Sequence, residues 1–181
     1  MSTYSPKFLT CVRFVIHEEG GFVNDPTDPG GATKYGISMR SHRSDIGDLD
    51  GDGDIDAEDV RLITVEQAMA IYFDEYWGEI RGEELPTPMA LVMLDTAVNC
   101  GEVRAIKLLQ RAGGLVEDGR FGRATMSWAL APTALHKMLT KRKAFYAGLR
   151  TFRKYGKGWL ARVSRLEITA AELASSWKVA A

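Results

Sequence analysis

Two cysteines in 181 residues are too few for a disulfide framework. Cys11 and Cys100 each stand in a mostly apolar stretch, so they are expected as two buried thiols rather than a pair. That suits a chain made in a reducing cytoplasm. Long apolar runs are also missing. The opening segment MSTYSPKFLTCVRFVIHEEGG is broken by Lys7 and Arg13, where a secretory signal would hold a continuous apolar centre. No later stretch offers the roughly 20 apolar residues that a membrane helix needs. The expectation is synthesis in a (host) cytoplasm without a signal peptide, with something else delivering the protein to any substrate beyond the membrane. Internal repeats and low-complexity linkers are absent, which excludes repeat architectures. A strong net charge is lacking too: the formal value is −1. With no recognised motif, that argues against a nucleic-acid binder.

What is there is an ordinary globular composition, 45% apolar and 26% charged, long enough for one sizeable core. The near-zero net charge hides an asymmetry. Residues 1–100 carry 19 acidic and 7 basic side chains, and residues 101–181 carry 5 and 16. The cluster Lys141, Arg142, Lys143, Arg150, Arg153, Lys154 and Lys157 is suited to an anionic surface such as cell wall or lipid headgroups. The alternative is the solvated face of amphipathic helices.

Hydrophobic spacing predicts a mostly helical chain. Phe8, Leu9, Val12, Val15 and Ile16 recur at helical intervals, with Ser5 as N-cap, Pro6 at the first helical position and Gly20-Gly21 as the stop. The segment FVNDPTDPGGATKYGIS that follows reads as turns and a short hairpin. Thr64 and Gln67 form a capping box for a helix through Ala68, Ile71, Tyr72 and Trp77. Further helices are expected over 89–99, 102–112, 124–131, 133–152 and 159–177. The division expected is a catalytic region over 1–95 and a helical region over 96–181, together forming one compact globule and a monomer.

Glu19-Gly20-Gly21 places a carboxyl at the end of the first helix. Glycosidic cleavage generally needs one carboxylic acid and one carboxylate. A helix C-terminus is the negative end of the helix dipole, which favours a neutral acid there. Asp25 and Asp28 follow in a turn-rich stretch where backbone N–H groups can hold a carboxylate, and Thr33 offers a hydroxyl for a water. The plainer alternative is an ordinary helix end followed by Asp-Pro turns.

These residues resemble a known family. HEEGGFVNDPTDPGGATKYGIS is similar to the signature of glycoside hydrolase family 108, lysozyme-like muramidases found as phage endolysins and prophage secretion activators. The resemblance implies a lysozyme-like helical fold with a small hairpin after the first helix. It also implies cleavage of the β-1,4 bond between N-acetylmuramic acid and N-acetylglucosamine in peptidoglycan, outside the host membrane, with Glu19 as catalytic acid and no cofactor for the chemistry. The spacing Glu19, Asp28, Thr33 is similar to the Glu–Asp–Thr triad of phage-type lysozymes, with Asp25 the rival for the second carboxylate or a substrate contact. Tyr35 and Asn99 are candidates for lining the cleft, a core hydrogen bond being the other reading of Asn99. Downstream, Leu108-Leu109-Gln110, Gly114, Asp118-Gly119, Gly122 and Thr125 resemble the predicted peptidoglycan-binding module that usually follows. Two alternatives stay open: a lytic transglycosylase, and a non-catalytic wall-binding or secretion-accessory protein.

One more motif is DLDGDGDIDAED, residues 48–59. It fits a twelve-residue EF-hand-type calcium loop. Asp48, Asp50 and Asp52 stand at positions one, three and five, and Gly53 at six. Asp54 offers its backbone carbonyl at seven, Ile55 is the apolar anchor, and Asp56 can act through water. Asp59 stands at twelve, where EF-hands usually carry Glu; a shorter Asp resembles dockerin loops. The expectation is a structural Ca2+ site, against a solvated acidic turn.

Overall fold

Ser5 starts the first helix. Its hydroxyl accepts the Phe8 N–H at 3.1 Å, which satisfies one of the donors that a helix start leaves bare. In the computed structural model, which describes residues 4–25 and 31–179, α1 then runs Pro6–Glu19 and stops at Gly20, whose φ is 80°. The described residues are mainly helical, with one small antiparallel sheet after α1, the lysozyme-like architecture that the sequence predicts. The chain forms two compact units, Val12–Glu75, and Met1–Cys11 with Tyr76–Ala181.

In the 12–75 unit, β1 (Thr33–Lys34) pairs with β2 (Ile37–Ser38), Thr33 opposite Ser38 and Lys34 opposite Ile37. A bridge between Val23 and Thr33 extends the pairing. Helix α2 (Met39–Ile46) is capped by Ser38 and kinked at His42. His42 is buried; its Nδ1 accepts the Ser38 N–H and its Nε2 faces Glu75 at 3.4 Å. Helix α3 (Ala57–Leu62) is capped by Asp56 and Asp59. Helix α4 (Val65–Tyr72) has the predicted capping box, Thr64 N–H to Gln67 at 2.9 Å and Gln67 N–H to Thr64 at 3.2 Å. It continues as a π-helical turn over Phe73–Trp77. The core of this unit is Val15, Ile16, Ile37, Ile46, Val60, Ile63, Ala68, Ile71 and Tyr72, all buried.

The other unit is built on α5 (Thr87–Cys100), in which every residue from Pro88 to Ala97 is buried. Around it pack α6 (Glu102–Gly113), α8 (Ala134–Ala147) and α9 (Phe152–Val179), with α7 (Arg123–Ala129) against α6 and α8. Each buried Leu, Val or Met contributes about 1.5–3 kcal/mol of hydrophobic stabilisation, so this stack is the larger source of stability. Both thiols are free as expected, Cys11 buried and Cys100 half-buried; burial pushes Cys11 up to about 12.

Two expectations for this unit need correcting. The break between the last two helices falls after Ala147, and α9 begins at Phe152 rather than Trp159. Gly156 does not end a helix; a Cβ there would stand 2.5 Å from the Phe152 ring, so the glycine makes room for an aromatic one turn away. Arg142 is not part of a basic surface. It is fully buried. Its Nη1 donates to Asp95 at 2.6 Å and to Thr96 at 3.0 Å, and its Nε and Nη2 donate to the Tyr146 hydroxyl at 3.1 and 3.0 Å. Arg162 approaches the other Asp95 oxygen at 2.6 Å. Of the remaining cluster, Arg150, Arg153, Lys154 and Lys157 are exposed, and Lys143 pairs with Glu167.

The residues that resemble a wall-binding module close a loop. The buried Gln110 donates to Asp118 at 2.7 Å and accepts the Gly119 N–H at 3.0 Å. The Gln110 and Asp118 side chains thus shape the turn at 118–120.

Candidate active site

Glu19 is the last residue of α1 and is half-buried. Beyond Gly20 and Gly21 the chain passes Val23, whose backbone exchanges two 2.8 Å hydrogen bonds with Thr33. The hairpin then returns to the helix end. Its two-residue turn is Tyr35-Gly36, with φ of 52° and 78°, the positive values that a tight type I′ hairpin turn requires. The Tyr35 N–H donates to the Gly20 carbonyl at 3.1 Å, so the tip of the hairpin sits on the residue after Glu19.

Gly36 is required here twice over. Besides its positive φ, a Cβ would collide with the Tyr72 hydroxyl and lie 2.9 Å from Cγ and 3.1 Å from Cδ of Glu19. The Tyr72 hydroxyl in turn donates to the Tyr35 carbonyl at 2.6 Å. Helix end, hairpin tip and the last residue of α4 therefore meet around one carboxyl group.

The structure brings together Glu19 and the Tyr35-Gly36 turn, Gly36 against its side chain and Tyr35 bonded to the next residue, Gly20. Thr33 is part of the same hairpin, and its hydroxyl makes a long 3.4 Å contact with the Gly31 carbonyl. Asp25 is exposed on the connecting segment. Asp28 lies outside the described residues. Asn99 belongs to the other unit, on the exposed side of α5, with its amide donating to the Asp95 carbonyl one turn back at 2.8 Å. Tyr72 is the residue that sequence reasoning places only in the core. It sits on the apolar face of α4, and nothing in that periodicity distinguishes a packing tyrosine from one whose hydroxyl reaches a turn 37 residues away.

The Asp-rich segment is a loop tied by its own carboxylates. Asp48 accepts the Gly51 and Gly53 N–H groups at 2.6 and 3.0 Å. Asp59, fully buried, accepts Leu49 at 2.6 Å, Asp50 at 3.3 Å and Asp56 at 2.7 Å. The oxygens of Asp48, Asp50 and Asp52 gather within 4.8 Å of one another, as do those of Asp54, Asp56 and Asp59. The neighbouring Asp52 charge raises Asp54 above the ordinary aspartate range. Asp50 is also raised: the Asp52 N–H pulls it down, but desolvation and the charges of Asp52, Asp59 and Asp48 outweigh that bond. The exit helix α3 leans on the hairpin side. The Arg61 guanidinium lies over the Phe22 ring at 4.6 Å, and the Lys34 ammonium donates to the Arg61 carbonyl.

Glu19 is thus a carboxyl fixed at a helix end by a hairpin tip, inside a lysozyme-like helical fold. Residues 12–101 match the family described as Glycosyl hydrolase 108. The solved structure of SagA from Brucella abortus matches with a TM-score of 0.76 at 33% identity, over 92% of this chain and 94% of that one. No curated protein matches the chain. The chain belongs to the glycosyl hydrolase 108 family, and with it to the cell-wall hydrolases.

Proposed function

We propose that this protein is a muramidase of the endolysin type, hydrolysing the β-1,4 bond between N-acetylmuramic acid and N-acetylglucosamine in bacterial peptidoglycan. The observation that carries the reading is Glu19 held against the Gly36 backbone within the family-matched region. Glu19 protonates the departing glycosidic oxygen. Asp28 supplies the second carboxylate, with Asp25 its rival, and Thr33 steadies the water. Tyr35 contacts substrate. The protein is made in the cytoplasm of a host cell and acts on the wall after release. The exposed cations Arg150, Arg153, Lys154 and Lys157 favour capture on the anionic envelope.

Digestion of purified peptidoglycan with mass spectrometry of the products tests this. Reducing muramic acid ends are expected. 1,6-Anhydro ends would make the protein a transglycosylase, and no cleavage would leave a binding protein. In the same assay, loss of activity in Asp25→Asn but not Asp28→Asn would exchange those two roles. Pelleting with the insoluble wall is expected to weaken as salt rises, because exposed charges are screened over about 8 Å at physiological ionic strength.

Calcium at residues 48–59 is the second part of the proposal. The gathered oxygens of Asp48, Asp50 and Asp52 suit a hard cation, with Asp54 contributing its carbonyl and Asp59 closing the loop at position twelve. The ion offsets the mutual repulsion that raises Asp50 and Asp54. Its role is structural: through Arg61, α3 steadies Phe22 and Lys34 on the hairpin side. An ion bound only by the folded state adds about 2.7 kcal/mol at one hundred times its Kd. Calcium is therefore expected to raise the Tm and a chelator to lower it, with Asp50→Ala, Asp52→Ala insensitive to both. Calorimetry without binding at millimolar calcium would leave an acidic turn.

A further inference from the structure

The Tyr35-Gly36 turn is held from two sides through the backbone of a single residue. The Tyr35 N–H donates to the Gly20 carbonyl at 3.1 Å. The Tyr35 carbonyl accepts the Tyr72 hydroxyl at 2.6 Å. Tyr35 occupies positive φ, 52°, a region that a residue with a Cβ enters only when its surroundings hold it there. Gly36 follows at 78°, and its missing side chain lets the turn close on Glu19, where a Cβ would lie 2.9 and 3.1 Å from Cγ and Cδ. The turn is thus a wall that limits where the Glu19 carboxyl can swing.

Tyr72 is what holds that wall. It is 1% exposed and ends α4, whose first turn is fixed by the Thr64–Gln67 capping box. Its ring belongs to the core, and a phenylalanine would fill the same space. The hydroxyl has a different assignment, since it reaches the turn and not another core residue in that bond. Without it, a half-buried carbonyl loses its donor just where the backbone is in a sparsely populated conformation. The cheapest relaxation is a shift of the turn away from Tyr72, and Glu19 loses its wall.

We propose that Tyr72 is a positioning residue for Glu19, acting through the Tyr35-Gly36 turn. This rests on Glu19 being the catalytic acid. Misplacement of a reacting group by about 1 Å costs on the order of a hundredfold in rate, so the effect belongs in kcat and not in substrate capture.

The test uses the full chain and soluble peptidoglycan fragments, well below the melting temperature of every variant. Tyr72→Phe is expected to lose about ten- to a hundredfold in kcat, with KM little changed. Ile63→Ala, a cavity in the same unit, controls for stability and is expected to keep kcat at a comparable loss of Tm. Amide exchange gives an independent readout: in Tyr72→Phe the Tyr35 amide should exchange faster, while those of Val23 and Thr33 keep their protection. Should Tyr72→Phe not fold, Tyr72→Leu removes the same hydroxyl while keeping an apolar side chain at that core position, and the same selective loss of kcat is expected. Wild-type kcat in the variant that folds, or a loss no larger than that of Ile63→Ala, overturns the proposal. Glu19→Gln, run alongside, separates the two failures. If it is inactive while Tyr72→Phe is normal, only the positioning role falls; if it is active, both fall.

Discussion

Replacing Glu19 with glutamine is expected to lower kcat/KM on peptidoglycan by about 10²–10⁴-fold, the usual contribution of a general acid, with the Tm close to that of the parent. The amide keeps the shape of the side chain and its place between the helix end and the turn. It cannot deliver a proton to the departing oxygen. The fold should tolerate the change because Glu19 is only half-buried, and the helix ends there through Gly20. Product release followed by mass spectrometry, with circular dichroism on the same samples, measures both quantities. Near-normal turnover in a folded variant would remove Glu19 from the mechanism.

Removing the Arg142 guanidinium is expected to have the largest effect on stability. Asp95 and Arg142 are both fully buried, and the pair ties α5 to α8 at 2.6 Å. Deleting one partner of such a pair costs about 3–5 kcal/mol: Asp95 keeps only Arg162 on its other oxygen, and Thr96 and the Tyr146 hydroxyl lose a buried donor. In a chain of this size that corresponds to a fall of about 6–20 °C in Tm. Arg142→Met should show it by calorimetry. Arg142→Lys should recover little, since one ammonium cannot reproduce a planar fork reaching Asp95, Thr96 and the Tyr146 hydroxyl together. A loss below about 1 kcal/mol in Arg142→Met, the range of an exposed ion pair, would show that water or another cation takes over.

The features legible in the sequence are those whose causes are local. Ser5, Pro6 and Gly20 bound α1 because capping involves residues within one turn, and Thr64 with Gln67 does the same for α4. The apolar run of α5 announces its burial. The Glu-Gly-Gly motif is legible through the family it resembles, and residues 12–101 match that family. Arg142 is misread because a charge in a basic run looks solvated, and its partner stands 47 residues away. A signal was available on the other side. Asp95 lies within an otherwise apolar helix, and a carboxylate there demands a cation. Tyr72 carries no such mark, since a tyrosine on an apolar face satisfies the helical pattern whatever its hydroxyl does.

The clasp that Asp59 makes across the 48–59 loop sets how acid acts on that segment. Hydrogen bonds from the Asp56 N–H first, then Leu49 and Asp50, hold Asp59 below the ordinary aspartate range against the cost of its desolvation. A carboxyl with a lowered folded-state pKa contributes stability above its unfolded value, and the contribution is lost as pH falls through the folded value. Asp50 and Asp54, raised in the fold, have the opposite sign: ionised, they oppose folding, and that penalty is relieved as pH falls through their raised values. The two raised groups therefore take up protons first, easing the crowding while the clasp still holds. In the ion-free loop the Asp59 clasp is therefore the last part of the row to be protonated.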